Sequence, residues 1–267
     1  MCLEAIPYFA FNLSNIIKSV YGKNKKAAVL DLDNTLWGGV IGDDGQEEIE
    51  IGHETSVGQV YSEFQSYLKE IKSWGVMLCI NSKNDIDNAL LGLNHPEGTL
   101  RPEDFVIIKA NWENKDKNIS EIASELNILP ESIVFIDDNP AERSIVQSNI
   151  PEVAAPTIDR PENYIVTIDR SGFFEASELS AEDLKRNEMY KANAERLKLQ
   201  KSFENYRDYL LSLEMTAEIK PFMPVYLSRI AQLTNKSNQF NLTTRRFTEA
   251  EIADMAKNDE YICLSLI

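Results

Sequence analysis

Asp31 and Asp33 close a compact apolar run, AAVLDLDNT, with one residue between them. Residues two apart on an extended strand project to the same side, so this pair would set two carboxylates together at the strand's carboxyl end. Carboxylates gathered there attract a hard cation. A second acid pair, Asp137 and Asp138, closes the run SIVFIDD, and in a parallel sheet both pairs would converge on one edge. The acids Asp31, Asp33, Asp137 and Asp138 are therefore the candidate ligands of Mg2+. Between the two pairs, VMLCINS ends in Ser82, a hydroxyl donor, and Lys115 and Lys117 precede the helical pattern NISEIASELNI. These groups could grip phosphate oxygens. Thr35 in DLDNT and Lys83 and Asn84 in NSKND complete the candidate phosphate- or substrate-binding set.

Plainer roles stand beside these. Asp137-Asp138-Asn139-Pro140 is also a strand-to-helix turn, with Asn139 as N-cap and Pro140 as first helical residue, and both roles can hold. Ser82 could cap a helix starting near Asn84, and Lys115 or Lys117 could be solvated lysines. Trp37, Gly38 and Gly39 fit a tight turn with an aromatic packed under a flap; Trp37 and Gly38 are also candidate substrate contacts, because they directly follow the acid pair. His53 and His95 have no partner at metal-ligand spacing. In SNQFNLTTRR the donors Asn238, Gln239, Asn241, Arg245 and Arg246 would suit a carboxylate or phosphate, or form a polar loop.

The elements that must position these groups alternate. After the basic turn KNKK comes the strand ending at Asp31, then WGGVIGDDGQEEIEIG, which reads as a flap or hairpin rather than a helix. VGQVYSEFQSYLKEIKSW has helical spacing, a capping serine, Ser56, in front and Gly75 behind. Strand VMLCINS, helix NDIDNALLGL, strand DFVIIKA, helix NISEIASELNI, strand SIVFIDD and helix PAERSIVQS follow. Such alternation implies a parallel sheet covered on both faces. The expected fold is α/β, a Rossmann-like parallel sheet with helices on both faces and no large cap, plus a smaller C-terminal α/β region.

The expected division is an N-terminal packing segment over 1–22, a catalytic domain over 23–170 and a helical or α/β region over 171–267. The last begins with a long charged helix over about 181–213, followed by strand MTAEIKPF, helix VYLSRIAQLTNK, a short helix and strand EYICLSLI. The chain stops inside that final apolar run, as a truncated sequence would.

With 267 residues and 43% apolar content the chain can build one large or two modest cores. Asp and Glu outnumber Lys and Arg by 43 to 27, and the net charge of -16 argues against nucleic acid as a partner. Three scattered cysteines form neither a disulfide framework nor a zinc cluster, which fits a reducing cytoplasm. IPYFAFNL lacks the flanks of a secretory leader. No run approaches about 18 apolar residues, so no membrane span is expected.

The ordered set DLDNT, NSKN, a lysine and the DD pair resembles the haloacid dehalogenase-like (HAD) superfamily of phosphotransferases over roughly Lys23 to Val153. By that resemblance Asp31 attacks phosphorus to give an aspartyl phosphate and Asp33 serves as general acid and then base. Mg2+ would be held by Asp31, the main chain at Asp33, and Asp137, while Ser82 and Lys115 brace the transferring oxygens. DLDNTLWGGVIGDDG, NSKND, ANWENKDKNI, VFIDDNPAER and LTNKSNQFNLTTRRFT further resemble the FkbH-like branch. That branch is associated with taking the glyceryl group of 1,3-bisphosphoglycerate, removing phosphate and loading an acyl carrier protein. Many of its members carry a cysteine where this chain has Asn81, a candidate substrate contact. Cys79 shares that strand face but reads as a buried structural thiol. The expected activity is thus FkbH-like transfer from a small phosphorylated substrate to a carrier protein. The alternatives are a plain phosphohydrolase and a non-catalytic binding module.

Overall fold

The computed structural model describes residues 2–21, 23–176, 188–190, 192, 196, 203, 205–236, 242–243 and 245–266. The chain divides into two compact units, Met1–Leu197 and Lys198–Ile267.

In the first unit four parallel strands, β1 (Ala27–Leu30), β2 (Met77–Ser82), β3 (Ile107–Ala110) and β4 (Ile133–Ile136), lie in the order β3-β2-β1-β4. Ala27 stands opposite both Met77 and Ile133, and Leu30 opposite Ile80 and Ile136. Successive strand residues face opposite sides. Ala28, Leu30, Leu78, Ile80, Val134 and Ile136 therefore feed one core, and Ala27, Val29, Met77, Cys79, Ile133 and Phe135 the other.

These strands are accompanied by helices α1 (Ile6–Val20), α2 (Ile41–Asp44), α3 (Ser56–Ser73), α4 (Ile86–Leu93), α5 (Lys115–Glu125), α6 (Pro140–Asn149) and α7 (Tyr164–Arg170). Side chains of α3, α4 and α7 bury in the first core, and those of α5 and α6 in the second.

Local chemistry sets the helix ends. The cap of α3 is Thr55, whose hydroxyl accepts from the Gly58 N–H at 2.9 Å. Ser56, expected to cap, is instead the first helical residue. Gly75, at φ +91°, ends the turn that follows. Asn139 caps α6 by accepting from the Ala141 N–H, with Pro140 at the first position, as read from the sequence. Helix α5 starts at Lys115, three residues before the expected Asn118. The cap position of α4 is Asp85, so Ser82 remains in β2.

Residues 37–50 form the flap. Gly38 and Glu50 exchange main-chain hydrogen bonds at 3.0 and 2.8 Å. The expectation of no helix needs correcting, because the single turn α2 sits inside the flap, tied by Asp44 accepting from the Val40 N–H at 2.7 Å. Trp37 is fully buried beneath the flap, and a Cβ on Gly92 of α4 would come within 2.6 Å of its ring.

Helix α1 buries only Asn15, while Tyr8, Phe9, Phe11, Ile16 and Ile17 stay exposed. The unit thus carries an uncovered apolar helix face.

In the second unit β5 (Ile219–Pro221) pairs antiparallel with β6 (Leu264–Leu266). Helices span Tyr206–Ser212, Leu227–Lys236 and Glu249–Met255, the last opened by a capping box between Thr248 and Glu251. Most of the long helix expected over 181–213, and Asn238, Gln239 and Asn241, lie outside the described residues. No helix among the described residues is long and apolar enough to cross a membrane.

Candidate active site

The carboxyl ends of β1, β2 and β4 meet the first turn of α5. Asp31 follows β1, and its N–H continues the ladder to the Ile136 carbonyl at 2.9 Å. Asp137 follows β4. By strand alternation both aspartates share the face of Val29 and Phe135, toward α5. Lys115, the first residue of α5, reaches in from that side. Its Nζ lies 2.7 Å from Asp31 Oδ2, 2.6 Å from Asp137 Oδ2 and 5.9 Å from the Phe135 ring centre.

One cation therefore stands among three acids, since carboxylate oxygens of Asp31, Asp137 and Asp138 lie within 4.8 Å of one another. Burial and the charge of Asp31 push Asp137 up to about 6, against the pull of Lys115. A salt bridge ordinarily holds its acid low; here burial, helped by a second carboxylate on the same ammonium, outweighs it. Asp138 is raised by burial and then by Asp31. Burial works against the charge on Lys115, but Asp31 and Asp137 outweigh it and raise this lysine. Oδ1 of Asp31 is buried without a hydrogen-bond partner. Three crowded carboxylates sharing one nearby ammonium are a donor set a hard divalent cation fits.

Asp33 is held apart from this trio. Its Oδ1 accepts from Trp37 Nε1 and the Ile41 N–H, both at 3.0 Å, and its Oδ2 accepts from Asn84 Nδ2 at 3.0 Å. Burial raises its pKa, with the Ile41 and Trp37 hydrogen bonds opposing. Asn34 makes this placement possible. It turns the chain at φ +53°, its carbonyl accepts from the hydroxyls of Tyr61 and Tyr164 at 3.3 and 2.9 Å, and its side chain accepts from the Gly39 N–H. Burial pushes the Tyr61 hydroxyl up to about 12, so it stays a donor.

The remaining expected residues divide. The Thr35 hydroxyl is buried and accepts from the Asp138 N–H at 3.3 Å. Ser82 is buried at the end of β2. Lys83 pairs with Glu142 at 2.6 Å. Asn84 holds Asp33, and Trp37 and Gly38 build the flap. Asn81 is fully buried and turned toward α5. Lys117 points outward to Glu113. Cys79 is buried between the sheet and α5, with its thiol pushed up to about 12 by burial. Arg245 is exposed and belongs to the second unit, as does Arg246, which donates to the Thr234 carbonyl.

Sequence reasoning missed Arg143, Asn118, Tyr61 and Tyr164. Arg143 is buried and donates to the carbonyls of Asp137 and Asp138 at 2.6 and 2.7 Å, fixing the turn that carries both acids. Its helical spacing from Asn139 was a usable signal; the tyrosines offered none beyond an apolar stripe.

Among solved structures, the chain is 39% identical to the N-terminal part of a Bacteroides fragilis protein that contains a phosphatase domain and is complexed with Mg, with a TM-score of 0.64. The match covers 67% of this chain and 48% of that one, so this chain spans about half of its length. Over the matched part the chain shares the α/β fold of that structure. A predicted HAD-like family hydrolase from Porphyromonas gingivalis is 16% identical, at a TM-score of 0.36, over 55% of this chain and 97% of its own. No family model and no curated protein matches the sequence. The trio and Lys115 gather at the carboxyl ends of β1 and β4, with the flap following Asp33 in the sequence.

Proposed function

We propose that this chain is a magnesium-dependent phosphohydrolase that works through an aspartyl phosphate on Asp31. The observation that carries the reading is the unpartnered Oδ1 of Asp31, held in place by Lys115 on its other oxygen. The magnesium-bound phosphatase domain of the Bacteroides fragilis protein supports it.

Asp31, Asp137 and Asp138 would hold Mg2+, which supplies the charge neutralisation that lets a carboxylate approach an anionic phosphate. The rest is the work of the chain's own groups. Oδ1 of Asp31 forms a bond to phosphorus as the bond to the leaving oxygen breaks, and Asp33, its pKa raised, gives that oxygen a proton. Asp33 then takes a proton from water as the water oxygen attacks phosphorus, and the bond to Asp31 breaks to release phosphate. Lys115 fixes the line of attack, and the Ser82 hydroxyl donates to a transferring oxygen.

The finer reading is FkbH-like. The substrate would be a small acyl phosphate such as 1,3-bisphosphoglycerate: the thiol of an acyl carrier protein would attack the acyl carbon and expel that phosphate, and Asp31 would remove the remaining phosphate ester. The sequence motifs support it. In this chain the acceptor thiol would come from the carrier, because Cys79 is sealed in the core and Asn81 occupies the nearer position.

The test is phosphate release from p-nitrophenyl phosphate and from 1,3-bisphosphoglycerate, with Mg2+ and with chelator, beside intact masses of both proteins when a carrier is added. Release that needs Mg2+ and disappears in Asp31→Asn is expected. Equal release by Asp31→Asn would sink the nucleophile assignment, and a glyceryl mass on the carrier would select the transferase.

A further inference from the structure

The site contains buried amides that the chemistry above does not use. Asn81 ends β2 fully buried, and its Nδ2 donates to the main-chain carbonyl of Lys115 at 2.9 Å. Its Oδ1 accepts from Asn118 Nδ2 at 3.0 Å. Asn118, also buried, lies in the first turn of α5 and exchanges side-chain hydrogen bonds with Asn111 at 2.9 and 3.3 Å. Asn111 in turn anchors its N–H on the Ser82 carbonyl at 3.1 Å. The amides thus join the end of β2, the segment after β3 and the first turn of α5.

We propose that Asn81 and Asn118 are positioning residues that clamp the first turn of α5 to the end of β2, so that the Lys115 ammonium falls between Asp31 and Asp137. They touch neither substrate nor metal and act through Lys115; the proposal rests on Asp31 being the nucleophile. A long lysine side chain has many rotamers, and holding it in one of them costs conformational entropy. Anchoring the main chain at Lys115 narrows the directions its Nζ can take toward the two carboxylates. The clamp also settles the role of position 81. Each end of that amide is spent inside the protein, on a carbonyl and an amide, so the strand end offers support for a cation in place of a group that could carry an acyl chain.

The test compares wild type, Asn81→Ala, Asn118→Ala and Cys79→Ala. Cys79→Ala trims the same strand face without touching the clamp, and so controls for lost packing. Two readouts are taken. The first is kcat and KM on p-nitrophenyl phosphate with Mg2+. The second is acetylation of Lys115 by acetic anhydride in metal-free protein, followed by peptide mass spectrometry with exposed Lys117 as internal reference. Both clamp variants should lose about tenfold to a hundredfold in kcat with little change in KM, because a misplaced group harms the transition state more than binding. The ratio of Lys115 to Lys117 labelling should rise by about tenfold as the turn opens. Cys79→Ala should change neither.

Clamp variants that keep wild-type kcat, or that lose activity only as far as Cys79→Ala does while Lys115 stays protected, would overturn the proposal. Should Asp31→Asn turn over like wild type, the nucleophile reading falls instead, and the labelling ratio alone decides the clamp. If Asn81→Ala does not fold, Asn118→Ala, which leaves the strand intact, carries both readouts.

Discussion

The ammonium of Lys115 stands 2.7 Å from Oδ2 of Asp31 and leaves Oδ1 of the same carboxylate buried and unpaired. One oxygen is pinned and the other is presented. Replacing Lys115 by Met keeps the side-chain length but removes the ammonium that Asp31 and Asp137 share. Breaking a buried pair from one side costs about 3–5 kcal/mol, so metal-free Lys115→Met should unfold at markedly lower temperature. Added Mg2+ should restore part of that loss while kcat stays depressed. Calorimetry with and without the cation checks the first point, and turnover the second.

On the proposed reading of the acid trio, the cation is a folding ligand. Mg2+ should raise the stability of the wild type by about 2.7 kcal/mol at a concentration one hundred times its dissociation constant. In Asp138→Asn the gain at the same concentration should shrink, by about 1.4 kcal/mol for each tenfold loss of affinity. Thermal melts at graded Mg2+ measure both. An Asp138→Asn protein with an unchanged Mg2+ response would remove Asp138 from the ligand set.

Asp137 sets a pH dependence of the metal-free protein. In the fold its carboxyl is raised from 3.8 to about 6, so between those values the folded state holds more proton than the unfolded one. Stability therefore falls as pH rises through this window, and the full penalty is present above about 6. Asp137→Asn should flatten that fall. Because the cation needs ionised carboxylates, its affinity in the wild type should weaken as pH drops below about 6. Urea melts at stepped pH and titration calorimetry give the two curves.

Trp37 couples the flap to Asp33. Its ring fills the space above Gly92, where a Cβ would sit 2.6 Å away, and its N–H holds Asp33 Oδ1. Gly92→Ala should cost about 1–3 kcal/mol by overpacking and should also lower kcat, since the indole must move. Trp37→Phe, which removes the donor to a carboxylate and leaves a void in place of the pyrrole ring, should cost about 2–4 kcal/mol. Chemical denaturation and steady-state kinetics on both variants check whether stability and turnover move together.

Cys79 should behave as core. Its thiol, fully buried and pushed up to about 12, should resist iodoacetamide in the folded protein and react on unfolding. A fast native reaction would reopen the possibility that this chain carries an acyl group itself.

The apolar runs ending in acids, and their alternation with helical stripes, were enough to read the parallel sheet, its two covered faces and the order of its chemical groups. Strand parity put Cys79 and Asn81 on one face, and the parallel order of the strands brought Asp31 and Asp137 to one edge of the sheet. These are local properties, because a period of two and a capping residue are written into consecutive positions. The choice of Lys115 over Lys117 was not local: it depends on α5 beginning at Lys115, where the turn meets the strand ends and one lysine points inward while the other pairs with Glu113. Nor could spacing separate Asp33 from the acid trio. The left-handed turn at Asn34, held by Tyr61 and Tyr164 from distant helices, swings Asp33 to the flap and to Asn84. Residue types and their order along the chain determined which chemistry could be present. Which oxygen is free, which lysine is inside and which amide is already spent were decided by contacts between segments far apart in sequence, where burial leaves each polar atom one workable partner.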